Sequence, residues 1–325
     1  MKIAIIGSGL IATQMARTVS ALDQVERYAI ASRSLDKAQA FADKWGFSRA
    51  YGSYDELLVD HAVDLVYIAL PHSHHYEWTL KALNAGKHVL CEKPLAVNAM
   101  QAQEMITLSE EKNLLLAEAM WTRYQPSVKI ITDLIASGEI GEVKTISANV
   151  GDCNYMNDRL TNPALAGGCL LDLTVYALNF SAMFMKDKVK KITASMIPTD
   201  TGVDGQNNVM LTYEGGTMAS LFATMYTVTD RNGFIYGSDG FIQAHDVFNP
   251  QKITVCGVEG YCHYVKKEID VPAQITGYEY EVLACMKAIA EGRTECPEMP
   301  HAETLLIMQQ MDEIRRQFGI VYPFE

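Results

Sequence analysis

A β-rich run that ends in a glycine turn opens this chain, and it restricts the fold more than any other feature. Ile3-Ala4-Ile5-Ile6 leads into Gly7-Ser8-Gly9-Leu10-Ile11-Ala12, and helical spacing follows over residues 12–21. Strand, glycine turn and helix in that order are the context in which this pattern reads as a dinucleotide-binding turn rather than an ordinary βα turn. Gly7 permits the tight turn and Gly9 lets backbone approach a pyrophosphate. Ala12, in place of a third glycine, is still small enough for helix–strand packing. The alternation continues to about residue 121. Further β-rich runs lie at 28–31, 63–70, 88–91 and 114–120, with helical spacing at 35–45, 75–85 and 98–112. The pattern predicts an α/β Rossmann domain, a doubly wound parallel sheet, over residues 1–121.

After residue 123 the texture changes. An amphipathic helix is expected at 126–137 and a strand at 142–150. After an irregular segment comes an apolar helix from about 168 to 184. Strand-like runs follow at 189–196, 206–213, 216–226, 233–237, 240–245 and 252–258, broken by Glu-Gly-Gly, Asp-Gly and Asn-Pro turns as hairpins are. Two helices, 277–291 and 301–317, complete the pattern. Residues 122–325 therefore read as an α+β substrate-binding and oligomerisation domain with a large, mostly antiparallel open sheet. Such a sheet has a face to cover, which predicts a homodimer or homotetramer through it.

The formal charge of −12 argues against nucleic acid or an anionic membrane as the main partner, since both need a basic face. No apolar run is read as approaching the roughly 18 residues of a membrane span. The first seven residues run straight into a strand, so no signal peptide is expected. The seven cysteines (91, 153, 169, 256, 262, 285 and 296) are scattered and form no Cys-x-x-Cys pair. They read as reduced thiols of a cytoplasmic protein.

Cofactor preference is read at the end of the second β-rich run. An NAD site usually places Asp or Glu there to bond the ribose 2′-hydroxyl. This chain has Ser32 and Arg33, with Lys37 one turn on, a hydroxyl and two cations suited to a 2′-phosphate. NADP is favoured, with NAD the alternative. The loop Leu70-Pro71-His72-Ser73-His74-His75 invites a zinc reading, but adjacent loop residues rarely converge on one ion. No metal is expected, and Leu70, Pro71, His72 and His75 are taken as a cofactor-lining edge.

Two further elements carry chemistry. Glu92-Lys93-Pro94 ends a buried-looking run, which places Lys93 at the carboxyl end of a parallel strand, where open α/β sheets bind ligands. Gly167-Gly168-Cys169-Leu170-Leu171-Asp172-Leu173-Thr174-Val175-Tyr176 puts Asp172 and Tyr176 on one face of an otherwise apolar helix. A carboxylate and a phenol there need a polar destination, either a substrate or buried backbone groups.

The glycine turn, the run from Ala85 to Pro94 and the Gly-Gly-x-x-x-Asp-x-x-x-Tyr segment together resemble the glucose-fructose oxidoreductase / inositol dehydrogenase / MocA superfamily. Glu118-Ala119-Met120-Trp121-Thr122-Arg123 and Asn162-Pro163-Ala164-Leu165-Ala166-Gly167-Gly168 are similar to the branch of dihydrodiol and NADP-dependent D-xylose dehydrogenases. The resemblance implies an NAD(P)-dependent oxidoreductase acting on a sugar, polyol or cyclic diol. A keto-sugar reductase and a non-catalytic NADP(H) sensor are the alternatives. It implies catalytic roles for Lys93, Asp172 and Tyr176, with the proton moved by Lys93 or by Tyr176 supported by Lys93. Many members carry histidine where this chain has Tyr176; the branch named has tyrosine. Glu92 and Pro94 are implied to shape the lysine's turn, with a cis peptide before Pro94. The cofactor set is then Gly7, Ser8, Gly9, Leu10, Ile11, Ser32, Arg33, Lys37, Leu70, Pro71, His72, His75, Glu92, Lys93, Trp121 and Arg123. Tyr155 and Arg159 are the candidate contacts to a polyhydroxylated substrate.

Overall fold

The computed structural model describes all residues, 1–325. Two compact units divide the chain: Met1–Trp121 with Gln274–Met308, and Thr122–Ala273 with Gln309–Glu325.

The first unit is built on a six-stranded parallel sheet. Its elements are β1 (Lys2–Ile6), α1 (Leu10–Val19), β2 (Glu26–Ala31), α2 (Leu35–Trp45), β3 (Arg49–Tyr51), α3 (Tyr54–Leu58), β4 (Leu65–Ile68), α4 (His75–Asn84), β5 (His88–Glu92), α5 (Ala99–Lys112) and β6 (Leu116–Ala119). Strand order is β3-β2-β1-β4-β5-β6, so the chain reverses its winding between β1 and β4. Ligands of doubly wound sheets bind outside the carboxyl ends of the strands at such a switch point. β1, β4 and β5 are buried nearly throughout, as strands covered on both faces must be. α1 buries Ala12, Met15, Ala16 and Val19, one stripe at helical spacing. α2 ends at Gly46 in the left-handed conformation, and α5 starts on Asn98, whose side chain accepts the Gln101 N–H.

β3 and α3 were not expected from sequence; three and five residues are too short to show a period. A contiguous domain over 122–325 also differs from the compact units. Residues 274–308 belong with the first unit because they stitch onto its β6 edge. Leu116 N–H donates to Thr294 O at 3.0 Å, and His301 Nε2 lies 2.9 Å from Leu116 O. Covering an edge strand in this way satisfies backbone groups that would otherwise stay unpaired.

The second unit holds α6 (Pro126–Ala136), β7 (Val143–Gly151), α7 (Asp158–Thr161), α8 (Val175–Phe184) and β8 (Val189–Pro198). β9 (Asp204–Tyr213), β10 (Met218–Thr224), β11 (Gly233–Gly237), β12 (Gly240–His245), β13 (Lys252–Glu259) and β14 (Cys262–Asp270) complete its eight-stranded sheet. The helices α9 (Glu279–Ala290) and α10 (His301–Phe318) follow. The sheet order is β14-β13-β12-β11-β7-β10-β9-β8; β7 and β10 run parallel and every other pair is antiparallel. β14 escaped the sequence reading because it is exposed along most of its length and lacks apolar alternation.

The apolar helix near 168–184 is present, but it begins as a π-helical turn, Leu170–Thr174, before continuing as α8. Its burial is nearly complete on all sides, and it packs on β7 and β10. The reading that no stretch approaches a membrane span needs correction. The helical stretch Pro163–Phe184 is 22 residues long and apolar enough to cross a bilayer by length and composition. Within this fold 83% of its apolar window is buried, so it is a core helix apolar all round.

Candidate active site

The cofactor cradle is assembled from backbone. Gly7 lies at φ +105°, and a Cβ there would come 2.4 Å from Ala69 O on the neighbouring β4 segment. Only glycine occupies that conformation and that space. Its N–H donates to Ala31 O at 3.0 Å, tying β1's end to β2's end. Gly9 is the extended N-cap of α1, has no side chain to cap the helix, and a Cβ there would meet nothing within 4 Å. The first backbone bond of α1 is Thr13 N–H to Gly9 O. The N–H groups of Leu10, Ile11 and Ala12 therefore lack helical partners and sit at the positive end of the helix dipole. Such a helix end can receive a pyrophosphate.

Ser8 Oγ and Ser32 Oγ are 3.2 Å apart, which joins this turn to the end of β2. Just beyond, Arg33 and Lys37 are exposed. Two exposed cations beside a hydroxyl fit a 2′-phosphate, and no carboxylate stands at the position that would bond a 2′-hydroxyl. The residues present thus fit NADP.

The loop after β4 forms a short 3-10 turn, His72–His74, before α4. His75 is fully buried, with Nδ1 2.8 Å from Pro94 O and Nε2 2.9 Å from Leu70 O. It clamps the loop to the lysine turn through backbone rather than offering its ring to a ligand. His72 is buried edge-on to His75 with centroids 5.8 Å apart. Histidine, cysteine and carboxylate side chains nowhere gather in threes to hold a metal ion.

Lys93 follows β5 and is half-buried, and its peptide bond to Pro94 is cis. The turn is braced from several sides. Glu92 Oε2 accepts the Lys93 N–H at 3.2 Å, and the Tyr67 hydroxyl on β4 donates to Glu92 Oε1. The Leu95 N–H donates to Glu118 Oε1 at 3.2 Å, and Glu118 Oε2 accepts the Thr304 hydroxyl at 2.8 Å. Burial and the Glu92 carboxylate push the Tyr67 phenol well above its usual range, so it stays a donor. Glu281 on α9 is fully buried, and burial with Glu92's charge raises its pKa well above the usual carboxylate range. Lysine at this turn is therefore backed by fixed carboxyl groups rather than by loose loop. Trp121 also belongs to this unit and stacks on Tyr278, with planes 5° apart and centroids 4.2 Å apart.

In the second unit, Asp172 lies in the π-turn and Tyr176 in the first turn of α8. Asp172 is buried, and Arg159 Nη2 lies 3.3 Å from Asp172 Oδ1. Tyr176 packs edge-on against Phe248 at 4.5 Å. Residues expected from sequence as separate contacts, Arg159 and Asp172, are thus one ion pair. Tyr155 is exposed and tilted against Tyr226 at 5.7 Å. Arg123 is buried, with Nε donating to Asn179 Oδ1 at 2.6 Å. Through that bond it anchors α8.

Tyr67, Glu118, Glu281 and Asp204 were missed as supporting residues. Tyr67 sits inside an apolar strand where a phenol attracts no notice. Asp204-Gly205 has the composition of a hairpin turn.

Residues 1–120 match the sequence profile described as oxidoreductase family, NAD-binding Rossmann fold, and residues 128–243 match the GFO/IDH/MocA C-terminal domain. The chain is 36% identical over 312 residues to trans-1,2-dihydrobenzene-1,2-diol dehydrogenase of Danio rerio, covering 94% of this chain and 92% of that protein. To the protein of the same name in Homo sapiens it is 31% identical, over 98% and 97% of the two chains. Among solved structures it is similar to a 3-ketoreductase from Actinomadura kijaniata in complex with NADP and TDP-benzene. That likeness has a TM-score of 0.88 and 27% identity, over 98% and 97% of the chains.

Proposed function

This chain belongs to the GFO/IDH/MocA family of NAD(P)-dependent oxidoreductases, and we propose on that premise that it is a dehydrogenase of a sugar, polyol or cyclic diol that uses NADP. The observation that carries the cofactor reading is the cradle at Gly7 and Gly9 with Arg33 and Lys37 exposed beyond it. The bound nicotinamide supplies the hydride acceptor at one carbon; the chain does the rest. The α1 amides hold the pyrophosphate, and Arg33 and Lys37 hold the 2′-phosphate. Lys93 Nζ, or Tyr176 Oη with Lys93 in support, takes the proton of the reacting hydroxyl as the C–H bond breaks, and returns it in the reverse direction. Asp172, paired with Arg159, orients the substrate's hydroxyl groups as an acceptor. Trp121 and Arg123 are assigned to support of these groups through Tyr278 and Asn179.

Reduction of a keto-sugar is the same chemistry in reverse, and the likeness to a 3-ketoreductase favours keeping it as the second reading. The test is NADPH absorbance followed over a panel of aldoses, keto-sugars and cyclic diols. A protein that binds NADPH and turns over none of them is a sensor, and the reading falls.

Replacing Arg33 with alanine is expected to weaken NADPH binding by about 10- to 100-fold, the worth of one or two charge-assisted hydrogen bonds, with NADH binding unchanged. Fluorescence titration of both cofactors measures this; equal losses for both would remove Arg33 from the 2′-phosphate site.

The second unit's sheet supports a homo-oligomer. Register places Met210, Ser220, Phe234, Tyr236 and Phe241 on one face, opposite the buried Leu211, Ala219 and Leu221. Phe234, Tyr236 and Phe241 form a cluster with centroids 5.6 and 5.7 Å apart. An aromatic patch of this kind suits an isologous interface. Sedimentation is expected to give the mass of two or four chains, and a monomer would refute it. A cytoplasmic location belongs to the same reading, supported by seven cysteines without a disulfide among them.

A further inference from the structure

We propose that Asp204 is a positioning residue for the reaction. From the start of β9 it caps the helix that carries Asp172 and Tyr176, and together with Asn207 it holds the π-turn in register. The proposal rests on the functional reading of those two side chains. Asp204 is 1% exposed. Its Oδ2 accepts the Leu170 N–H at 2.7 Å and the Asn207 amide Nδ2–H at 2.7 Å. Asn207 Oδ1 in turn accepts the Thr174 hydroxyl at 2.9 Å, which also lies 3.2 Å from Cys169 O. Leu170 opens the π-turn and Thr174 closes it, so one carboxylate and one amide from a neighbouring strand grip both ends of the five residues that contain Asp172. Thr174 lies two residues from Asp172 and two from Tyr176, so a slip at this grip turns both side chains.

The approach of the carboxylate depends on Gly168. That residue sits at φ +125°, and a Cβ there would come 2.4 Å from Asp204 Oδ1. The turn is held from the other side by Tyr322, whose hydroxyl donates to Gly167 O at 3.0 Å. No local side chain caps the π-turn at Cys169. A π-turn is a costly backbone state that persists where the surroundings determine it. Asp204 and Asn207 are those surroundings.

Oδ1 of Asp204 is buried without a hydrogen-bond partner. Burial raises this carboxyl to about 7, against the lowering effect of the Asn207 and Leu170 bonds. The ionisable groups that face it are Cys169 on the helix, Tyr226 after β10 and Tyr322 in the C-terminal segment, all pushed up by burial and neutral near pH 7. The charged pair at this helix is Asp172 of the π-turn with Arg159 of α7. The ionised carboxylate is the better acceptor for two N–H donors, so these two bonds weaken as pH falls through about 7, while the desolvation cost of the buried charge, which opposes folding, is relieved over the same range.

The experiment compares the wild-type protein with Asp204→Ala and Asp204→Asn. Steady-state kinetics, NADPH titration and amide hydrogen exchange over residues 168–176 are the readouts. Asp204→Ala is expected to lower kcat about 100-fold, as misplacement of reacting groups does, with NADPH affinity unchanged and faster exchange over 168–176. Asp204→Asn, whose amide oxygen takes over both accepted bonds, is expected to recover most of kcat. The wild type is expected to lose kcat below pH 7 as Asp204 protonates, and this variant is expected to lose that dependence. Asn207→Ala removes the brace alone and is expected to cost about tenfold, which keeps the test open if Asp204→Ala does not fold. Wild-type kcat and exchange in Asp204→Ala, or in Asn207→Ala where only that variant folds, would overturn the proposal. So would an Asp204→Asn variant as impaired as alanine. The exchange readout needs no substrate, so it judges the cap even if the wild type turns over nothing, an outcome that would instead overturn the functional reading.

Discussion

Lys93→Met is expected to lower turnover by about 10²- to 10⁴-fold, the usual worth of a positioned acid–base group, while NADPH affinity stays close to wild type. The argument starts from placement. Lys93 follows β5 at the carboxyl end of a parallel strand, next to the winding reversal of the sheet. Its backbone is held by Glu92, and the following proline's carbonyl is held by His75. Methionine keeps much of the length and apolar volume of the stem and removes only the amine, so the turn should survive. Single-turnover measurement with NADPH titration on the same preparation separates chemistry from binding. Turnover like the wild type's would show that Tyr176 moves the proton unaided. Loss of NADPH binding in parallel with turnover would show that the lysine serves the cofactor instead.

Gly7→Ala is expected to abolish measurable cofactor binding and to destabilise the first unit by about 1–3 kcal/mol from backbone strain alone. The methyl group would meet a carbonyl oxygen of the adjoining chain at 2.4 Å, and that oxygen is backbone, which cannot swing aside. Either Gly7 leaves its φ of +105° or the β4 segment moves, and each disrupts the turn that presents the α1 amides. Urea unfolding with and without NADPH reads both effects: the midpoint falls, and the stabilisation that NADPH gives the wild type disappears. A variant that NADPH still stabilises fully would mean that the cofactor does not depend on this turn. The contrast with Gly9→Ala is informative, because the space there is open on the protein side and only the approaching pyrophosphate would be crowded.

Much of this architecture was legible in the amino-acid order because it rests on period and punctuation. Alternation of strand and helix predicted the parallel sheet, and hairpin turns at Asp239-Gly240 and Asn249-Pro250 predicted the antiparallel one. What escaped has physical reasons. β3 is three residues long, shorter than any period needs. Residues 274–308 join the first unit through hydrogen bonds to β6, a contact almost two hundred residues away in sequence. The π-turn leaves no mark on an apolar run, because its cause is Asp204 and Asn207 on another strand. Arg159 and Asp172 were both picked out, yet their pairing depends on the irregular segment between them. Asp204, followed by Gly205, has the composition of a turn, and only the fold shows it to be a buried acceptor.

The central claim is that this chain oxidises a CH–OH carbon by direct hydride transfer to NADP. It is tested most directly with a substrate from the panel deuterated at that carbon. The account predicts that the deuterium appears in the NADPH formed, that the label stays out of solvent water, and that single-turnover NADPH formation is slower than with the protonated substrate. NADPH formed without the label, or a protein that binds NADPH tightly and produces none from any sugar, polyol or cyclic diol, would contradict it.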